Sequence, residues 1–275
     1  RMGMKGNLLY NGDFETGTTE GWELAPYGLT SECEFSASAD AKLRGSYGGY
    51  IKTTQTYGDA YIAYNKVCSF EEYEGFLFIL PVKNVSGLVA TGILYGLDDK
   101  GNFIDDYILG YITETGEWRN VIALLRGFRE ITHFKVGLWF WGYDVGEECY
   151  FDEVKLLPLK SIKAHELREH RFFDNLSANK TWYSGLACIG KCKVRSVLQV
   201  FNVSGTSPTL DTKLTLIMFE GTSNAYTIQH SQFTADGFEE KIIDIPELSL
   251  IKIEYTVGGT DPSFDIYHYL FVEPY

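Results

Sequence analysis

The feature that most constrains this chain is the rhythm of its apolar residues. From Asn7 to Leu157 they come in short, often alternating runs, each closed by turn residues. Gly49-Tyr50-Ile51-Lys52-Thr53, Phe76-Leu77-Phe78-Ile79-Leu80, Gly92-Ile93-Leu94-Tyr95-Gly96 and Phe134-Lys135-Val136-Gly137-Leu138-Trp139-Phe140-Trp141 are such runs. Asn84-Val85-Ser86-Gly87, Asp98-Asp99-Lys100-Gly101-Asn102 and Thr113-Glu114-Thr115-Gly116 punctuate them. No apolar period of 3.6 residues persists over a helical length, so the spacing predicts strands arranged as a sandwich.

The same rhythm resumes after Trp182, where roughly six or seven strands predict a second antiparallel sandwich. A length of 275 residues suits two domains. The expected fold class is therefore all-β, two antiparallel β-sandwich domains in tandem. The first is expected over residues 1–158 and the second over 172–275. Between them, residues 159–171 hold the run Ser161-Ile162-Lys163-Ala164-His165-Glu166-Leu167-Arg168-Glu169-His170-Arg171. Its charge and its helix formers predict a linker with a short helix.

Charge narrows the partners. The net charge is −13, of which residues 1–158 carry −10, with 13 Lys and Arg against 23 Asp and Glu. Such a surface repels phosphate backbones and anionic lipids, which argues against nucleic acid as a partner. No apolar run reaches the ~18 residues of a membrane helix, so no membrane insertion is expected. No secretory signal is visible, and Arg1-Met2-Gly3-Met4 reads as a processed terminus or a cloning remnant rather than a native start. Aromatic residues reach 15%, which favours pleated, half-buried surfaces.

Motifs for catalysis fail on inspection. Gly185-Leu186-Ala187-Cys188-Ile189-Gly190-Lys191-Cys192 ends in Cys where a phosphate-binding loop needs Ser or Thr, and a strand rather than a helix follows it. His165 and His170 are five apart, which on a helix separates them by ~140° and prevents a shared zinc. His133, His230 and His268 lie in unrelated strand-like segments. The five cysteines, Cys33, Cys68, Cys149, Cys188 and Cys192, are odd in number and sparse, and are expected as buried thiols. The chain is expected not to be an enzyme.

Two stretches carry a resemblance. Asn7-Leu8-Leu9-Tyr10-Asn11-Gly12-Asp13-Phe14-Glu15 with Gly21-Trp22, and the closing Tyr150-Phe151-Asp152-Glu153-Val154-Lys155-Leu156, resemble the two ends of carbohydrate-binding modules with a galactose-binding-like jelly roll. Arg44-Gly45-Ser46-Tyr47-Gly48-Gly49-Tyr50 and Glu117-Trp118 resemble inner segments of such modules. The resemblance spans residues 7–157 and implies a jelly roll, a carbohydrate ligand and a structural calcium ion. It assigns Glu15 and Asp152, with Asp13, as calcium ligands, supplemented by carbonyls near Gly45. Residues 172–275 resemble an uncharacterised β-sandwich domain of surface proteins in spore-forming bacteria.

Sugar binding needs exposed aromatic faces beside hydrogen-bonding groups. Trp139 and Trp141 are two apart on a strand and share a face, with Leu138 and Phe140 on the other. If Leu138 and Phe140 point inward, the tryptophans form an open platform with Tyr95 and Tyr61 as neighbours. If not, the tryptophans are core or domain-interface residues; Trp118 is expected in the core in either case. The reading is a non-catalytic protein that binds a polysaccharide or other glycan, extracellular or at the cell surface. The alternative is a self-associating subunit of an extracellular assembly (a filament, a spore or surface layer, or a virion decoration), with residues 265–275 as the strand that pairs between subunits.

Overall fold

A computed structural model describes residues 6–219 and 221–275. The chain divides into two compact units, Arg1–Ile162 and Lys163–Tyr275.

The first unit holds β1 (Trp22–Leu24), β2 (Cys33–Ser38), β3 (Gly48–Thr53), β4 (Asp59–Tyr64), β5 (Cys68–Ser69), β6 (Gly75–Asn84), β7 (Val89–Leu97), β8 (Phe103–Ile112), β9 (Trp118–Leu125), β10 (His133–Trp141), β11 (Glu148–Phe151) and β12 (Lys155–Leu159). They form two antiparallel sheets. One runs β1-β4-β10-β7-β8, with β5 also on β10; the other runs β9-β6-β11-β3-β2, with β12 also on β6. This is a jelly-roll sandwich. Ile62, Leu94, Leu138 and Phe140 of the first sheet, and Phe78, Leu80, Val82, Val121 and Phe151 of the second, are fully buried. At Gly92 a Cβ would stand 3.0 Å from both Phe78 and Val121, so the two inner faces meet there.

The two ends of this unit are tied together. Asn7 donates to the Val154 carbonyl (3.2 Å) and accepts from the Leu156 amide (2.9 Å). Phe14, Trp22 and Phe151 form a buried ring cluster with centroids 5.0–5.6 Å apart. All five cysteines are buried. Trp118 departs from its expected place. Arg119, Val121 and Ala123 take the inward positions of β9, so the period of two leaves Trp118 half-buried on the outer side, opposite Lys83.

The second unit is built differently. Its strands are β13 (Leu167–Leu176), β14 (Lys180–Ser184), β15 (Leu186–Cys188), β16 (Cys192–Met218), β17 (Gly221–Gln229), β18 (Gly237–Ile245) and β19 (Leu250–Pro274). β16 and β19 pair along almost their whole length. Midway, the register shifts three times between Phe201 and Thr209, and Asn202, Gly205, Ser207, Gly259 and Asp261 take positive φ. The backbones crowd there: a Cβ on Gly205 would stand 2.5 Å from the Asp261 carbonyl oxygen. The paired ribbon bends at this point, so that its two ends face one another. One end carries the order β18-β16-β19-β13 and the other β17-β16-β19-β14. One bent sheet thus makes both layers of the sandwich.

The charged segment expected as a linker with a helix is, from Leu167 onward, strand β13 on β19. Helix propensity is a weak preference, and cross-strand partners override it here. The Arg168 guanidinium lies 5.8 Å from the Phe271 ring, and Glu166 pairs with Arg195 at 3.3 Å. Of residues 265–275, expected to pair between subunits, 265–274 lie in β19, with β13 on one side as far as Val272 and β16 on the other.

Candidate functional site

On β10 the alternation resolves as the sandwich requires. Leu138 and Phe140 are fully buried, and Trp139 and Trp141 point out of the sandwich, half-buried. Tyr61 of β4 sits directly opposite Trp139, on the same outer face. The Trp139 and Trp141 rings are 6.4 Å apart with planes 11° from parallel; Tyr61 and Trp139 are 6.2 Å apart at 30°. Gly137 lies on this face beside them, where a Cβ would stand 1.8 Å from the Ile62 carbonyl oxygen. Only glycine lets β10 and β4 approach so closely there.

Tyr95 shares the face but not the exposure. It is fully buried, and its hydroxyl donates to the Ile62 carbonyl at 3.2 Å. Tyr27, carried on a 3-10 turn at Pro26–Gly28, covers it at 6.0 Å and stacks on Phe103 at 4.9 Å. The sequence placed Tyr95 correctly on the outer side of β7, but the turn that lids it carries no strand-pairing signal. Lys135 stands 5.0 Å from the Tyr27 ring and bridges to Glu23 at 3.2 Å.

Polar groups edge the row. The Trp139 Nε1 donates to Asp59 Oδ1 at 2.8 Å, which fixes the indole's rotation. Burial raises the Asp59 carboxyl's pKa; the Trp139 hydrogen bond partly offsets this, and the nearby Glu32 adds to the rise. Burial, then Asp105, raises Asp106 likewise. Beyond Trp141 the same two strands run into loops bearing Tyr57 and Tyr143, both exposed, with ring centroids 4.6 Å apart. Asp59, Tyr57 and Tyr143 extend the row, and sequence reading missed them because their neighbourhood depends on the β4–β10 register.

The residues expected to hold calcium accept hydrogen bonds from backbone amides. Asp152 is fully buried, accepting from the Leu43 and Arg44 amides (2.8 and 3.0 Å) and from the Glu153 amide (2.7 Å). Glu15 accepts from the Ser46 and Tyr47 amides at 2.6 and 3.2 Å, and Asp13 accepts from the Glu15 amide at 3.4 Å. Among the described residues no three His, Cys, Asp or Glu side chains converge as a metal-ligand set. Calcium takes six to eight oxygens, and backbone amides here occupy lone pairs of the Glu15 and Asp152 carboxylates. Burial pushes the Asp152 carboxyl up to about 6, against the pull of its three amides.

A second cluster lies in the core of the second unit. His230 and His268, distant in sequence, both meet the Ser196 hydroxyl through Nε2, each at 2.8 Å. Trp182 Nε1 donates to the Tyr255 hydroxyl at 3.2 Å, and that oxygen lies 2.6 Å from His268 Nδ1. His230 Nδ1 lies 2.9 Å from Glu239 Oε2. One direction of donation satisfies every group: Trp182 to Tyr255 to His268 to Ser196 to His230 to Glu239. It assigns the Nε2–H tautomer to His268 and the Nδ1–H tautomer to His230. The Ser196–His230–Glu239 part has the order of a hydrolase triad. However, Ser196 is fully buried, so its hydroxyl meets no substrate in this fold. Burial, then His230, pulls the His268 pKa down to about 3. Burial works against the Glu239 carboxylate, yet hydrogen bonds from Ser231, Lys241 and His230 hold its pKa at about 2.

No protein-family model and no curated protein matches the chain. Among solved structures, the chain is similar to the N-terminal CBM22-1-CBM22-2 tandem domain of Paenibacillus barcinonensis Xyn10C. The identity is 12% over 99% of each chain, with a TM-score of 0.41. TmCBM61, solved with β-1,4-galactotriose, is 18% identical over 55% of this chain and 98% of its own, with a TM-score of 0.39. Family 16 Carbohydrate Binding Module-2 is 19% identical over 55% of this chain and 99% of its own, with a TM-score of 0.38. Likenesses at this distance carry no ligand and no residue role across to this chain.

Proposed function

We propose that the first unit binds carbohydrate, holding a polysaccharide along the outer face of its first sheet without catalysing a reaction on it. The observation that carries this reading is the outward row of Tyr61, Trp139 and Trp141 on adjacent strands, with its central indole held by Asp59. Such rings offer apolar surface to the C–H faces of pyranose units, and Asp59 and Asp106 stand nearby as acceptors for hydroxyls. The acidic surface of residues 1–158 favours an uncharged glycan over a uronate-rich or sulfated one. A ligand of this kind places the protein outside the cell or at its surface. Retention of the full chain on a panel of insoluble neutral polysaccharides tests the proposal. Saturable retention that Trp139→Ala and Trp141→Ala each abolish supports it, and retention unchanged by both refutes it.

A further inference from the structure

The open strand edges of this protein are not alike. β1, β14 and β2 are three, five and six residues long, and β8, β13 and β17 each shift register against their neighbours. Short or irregular edges resist pairing with other chains. Strand β18 has neither defence. Its nine residues pair with β16 without a register shift from Gly237 to Ile245, and they contain no proline. Among the described residues β18 pairs with β16 alone, which leaves its other edge open.

The side chains of β18 add to this. Its outer face presents Phe238, 65% exposed, and Ile242, 54% exposed. Phe238 lies across from Gln199, level with an aromatic strip in which Phe172, Phe201 and Tyr267 lie within 4.6–6.3 Å of one another, and Ile242 lies across from Arg195. Large apolar groups gathered on one face of a soluble protein mark an interaction surface.

We infer that β18 is a docking edge for a second copy of this chain, paired antiparallel about a two-fold axis at Glu240. The argument is register. In an antiparallel pair, directly opposite residues share a face. With the axis at Glu240, Phe238 faces Ile242 of the second copy and Glu239 faces its Lys241, each twice by symmetry. Within β18 the only like-charged pair is Glu240 with its own copy, where the Arg195 guanidinium stands 3.9 Å from the carboxylate; just outside the strand, Asp236 faces Asp244 of the second copy. With the axis at Lys241, Lys241 faces itself, Phe238 faces Asp244 and Ile242 faces Glu240. With the axis at Ile242, Glu240 faces Asp244 twice. Of these three registers, the axis at Glu240 alone joins Phe238 to Ile242 and Glu239 to Lys241, and that pairing fits a second copy of this chain. The contact is isologous and closes as a dimer.

Sedimentation velocity on the full chain over a range of concentrations tests this. The expected result is a species of twice 31.1 kDa. Ile242→Glu removes it while leaving the melting curve in place, because that side chain is exposed. Glu240→Gln relieves the repulsion at the axis and tightens the dimer several-fold. Glu240→Cys crosslinks under mild oxidation and Asp244→Cys, on the same face, does not. A monomer at every concentration overturns the inference. So does equal crosslinking at both positions, or an open-ended series of larger species. Loss of glycan retention with the dimer intact bears on the first unit alone, so the two proposals fail separately.

Discussion

The two units answer the same demand in opposite ways. Each is a β-sandwich with alternating strands, and each must place aromatic and polar side chains on pleats that are buried on one side only. The inner faces of the first unit are largely apolar, with Arg119 of β9 a buried exception, and polar handles such as Asp59 sit beside the outward tryptophans. The second unit threads a chain from Trp182 to Glu239 through its interior and leaves Phe172, Phe238 and Ile242 in solvent. A dry core packs by shape and tolerates loss of detail; a polar core must satisfy every donor or pay for the one left over. The first unit is accordingly suited to vary its outer face, and the second to hold one internal arrangement.

That contrast is most easily broken at Ser196. Ser196→Ala stays close to the same volume and strips hydrogen bonds from two buried imidazoles at once. The expected cost is roughly 3 kcal/mol or more. In scanning calorimetry the loss should fall on the transition of the second unit and leave the first unit's transition in place. Equal loss from both transitions would mean that the units are not energetically separate.

Acid should separate them next. His268 has a folded pKa of about 3, below its value of ~6.5 in an unfolded chain, so the folded state disfavours its protonation. The stability this provides is complete above ~6.5 and is lost as the pH falls from there toward 3. The slope is about 1.4 kcal/mol per pH unit for one proton, or about 2–3 kcal/mol by pH 4.5. Asp152 has the opposite sign. Its folded pKa of about 6 lies above the ordinary carboxylate value, so its contribution grows as the pH falls from 6 toward 4. Between pH 7 and 4.5 the second unit should therefore lose melting temperature faster than the first. Parallel shifts would remove the histidine chain as the cause.

Smaller effects sharpen the account of the first unit. Trp139→Ala should weaken glycan binding at least tenfold, ~1.4 kcal/mol, while moving the melting temperature little, because the ring is half-buried on the outside. Chelation with EGTA should leave the first transition where it is, since amides already occupy the Glu15 and Asp152 carboxylates. A clear drop in melting temperature on chelation would restore calcium to that end of the molecule.

How far the sequence could be read follows from the range of the interactions involved. Period-two alternation is local, so it exposed the strands and set Leu138 and Phe140 on one face with Trp139 and Trp141 on the other, but which face lines the core depends on the packing of the second sheet. It mistook the segment from Leu167 for a linker because charged helix formers outweighed a faint alternation. Only pairing with β19, about a hundred residues away, makes that segment a strand. Tyr95 was placed on the right face and given the wrong exposure because Tyr27 reaches it from a turn. The chain through Ser196 was invisible, as its two histidines lie 34 and 72 residues from the serine.

The central claim is that the outer face of the first unit, and not the aromatic strip of the second, holds carbohydrate. The direct test is titration of the full chain with a soluble neutral polysaccharide, comparing the wild type with Trp139→Ala and Phe172→Ala. The account predicts that Trp139→Ala removes binding and Phe172→Ala leaves it intact. Binding that survives Trp139→Ala and disappears with Phe172→Ala would contradict it and move the ligand to the second unit.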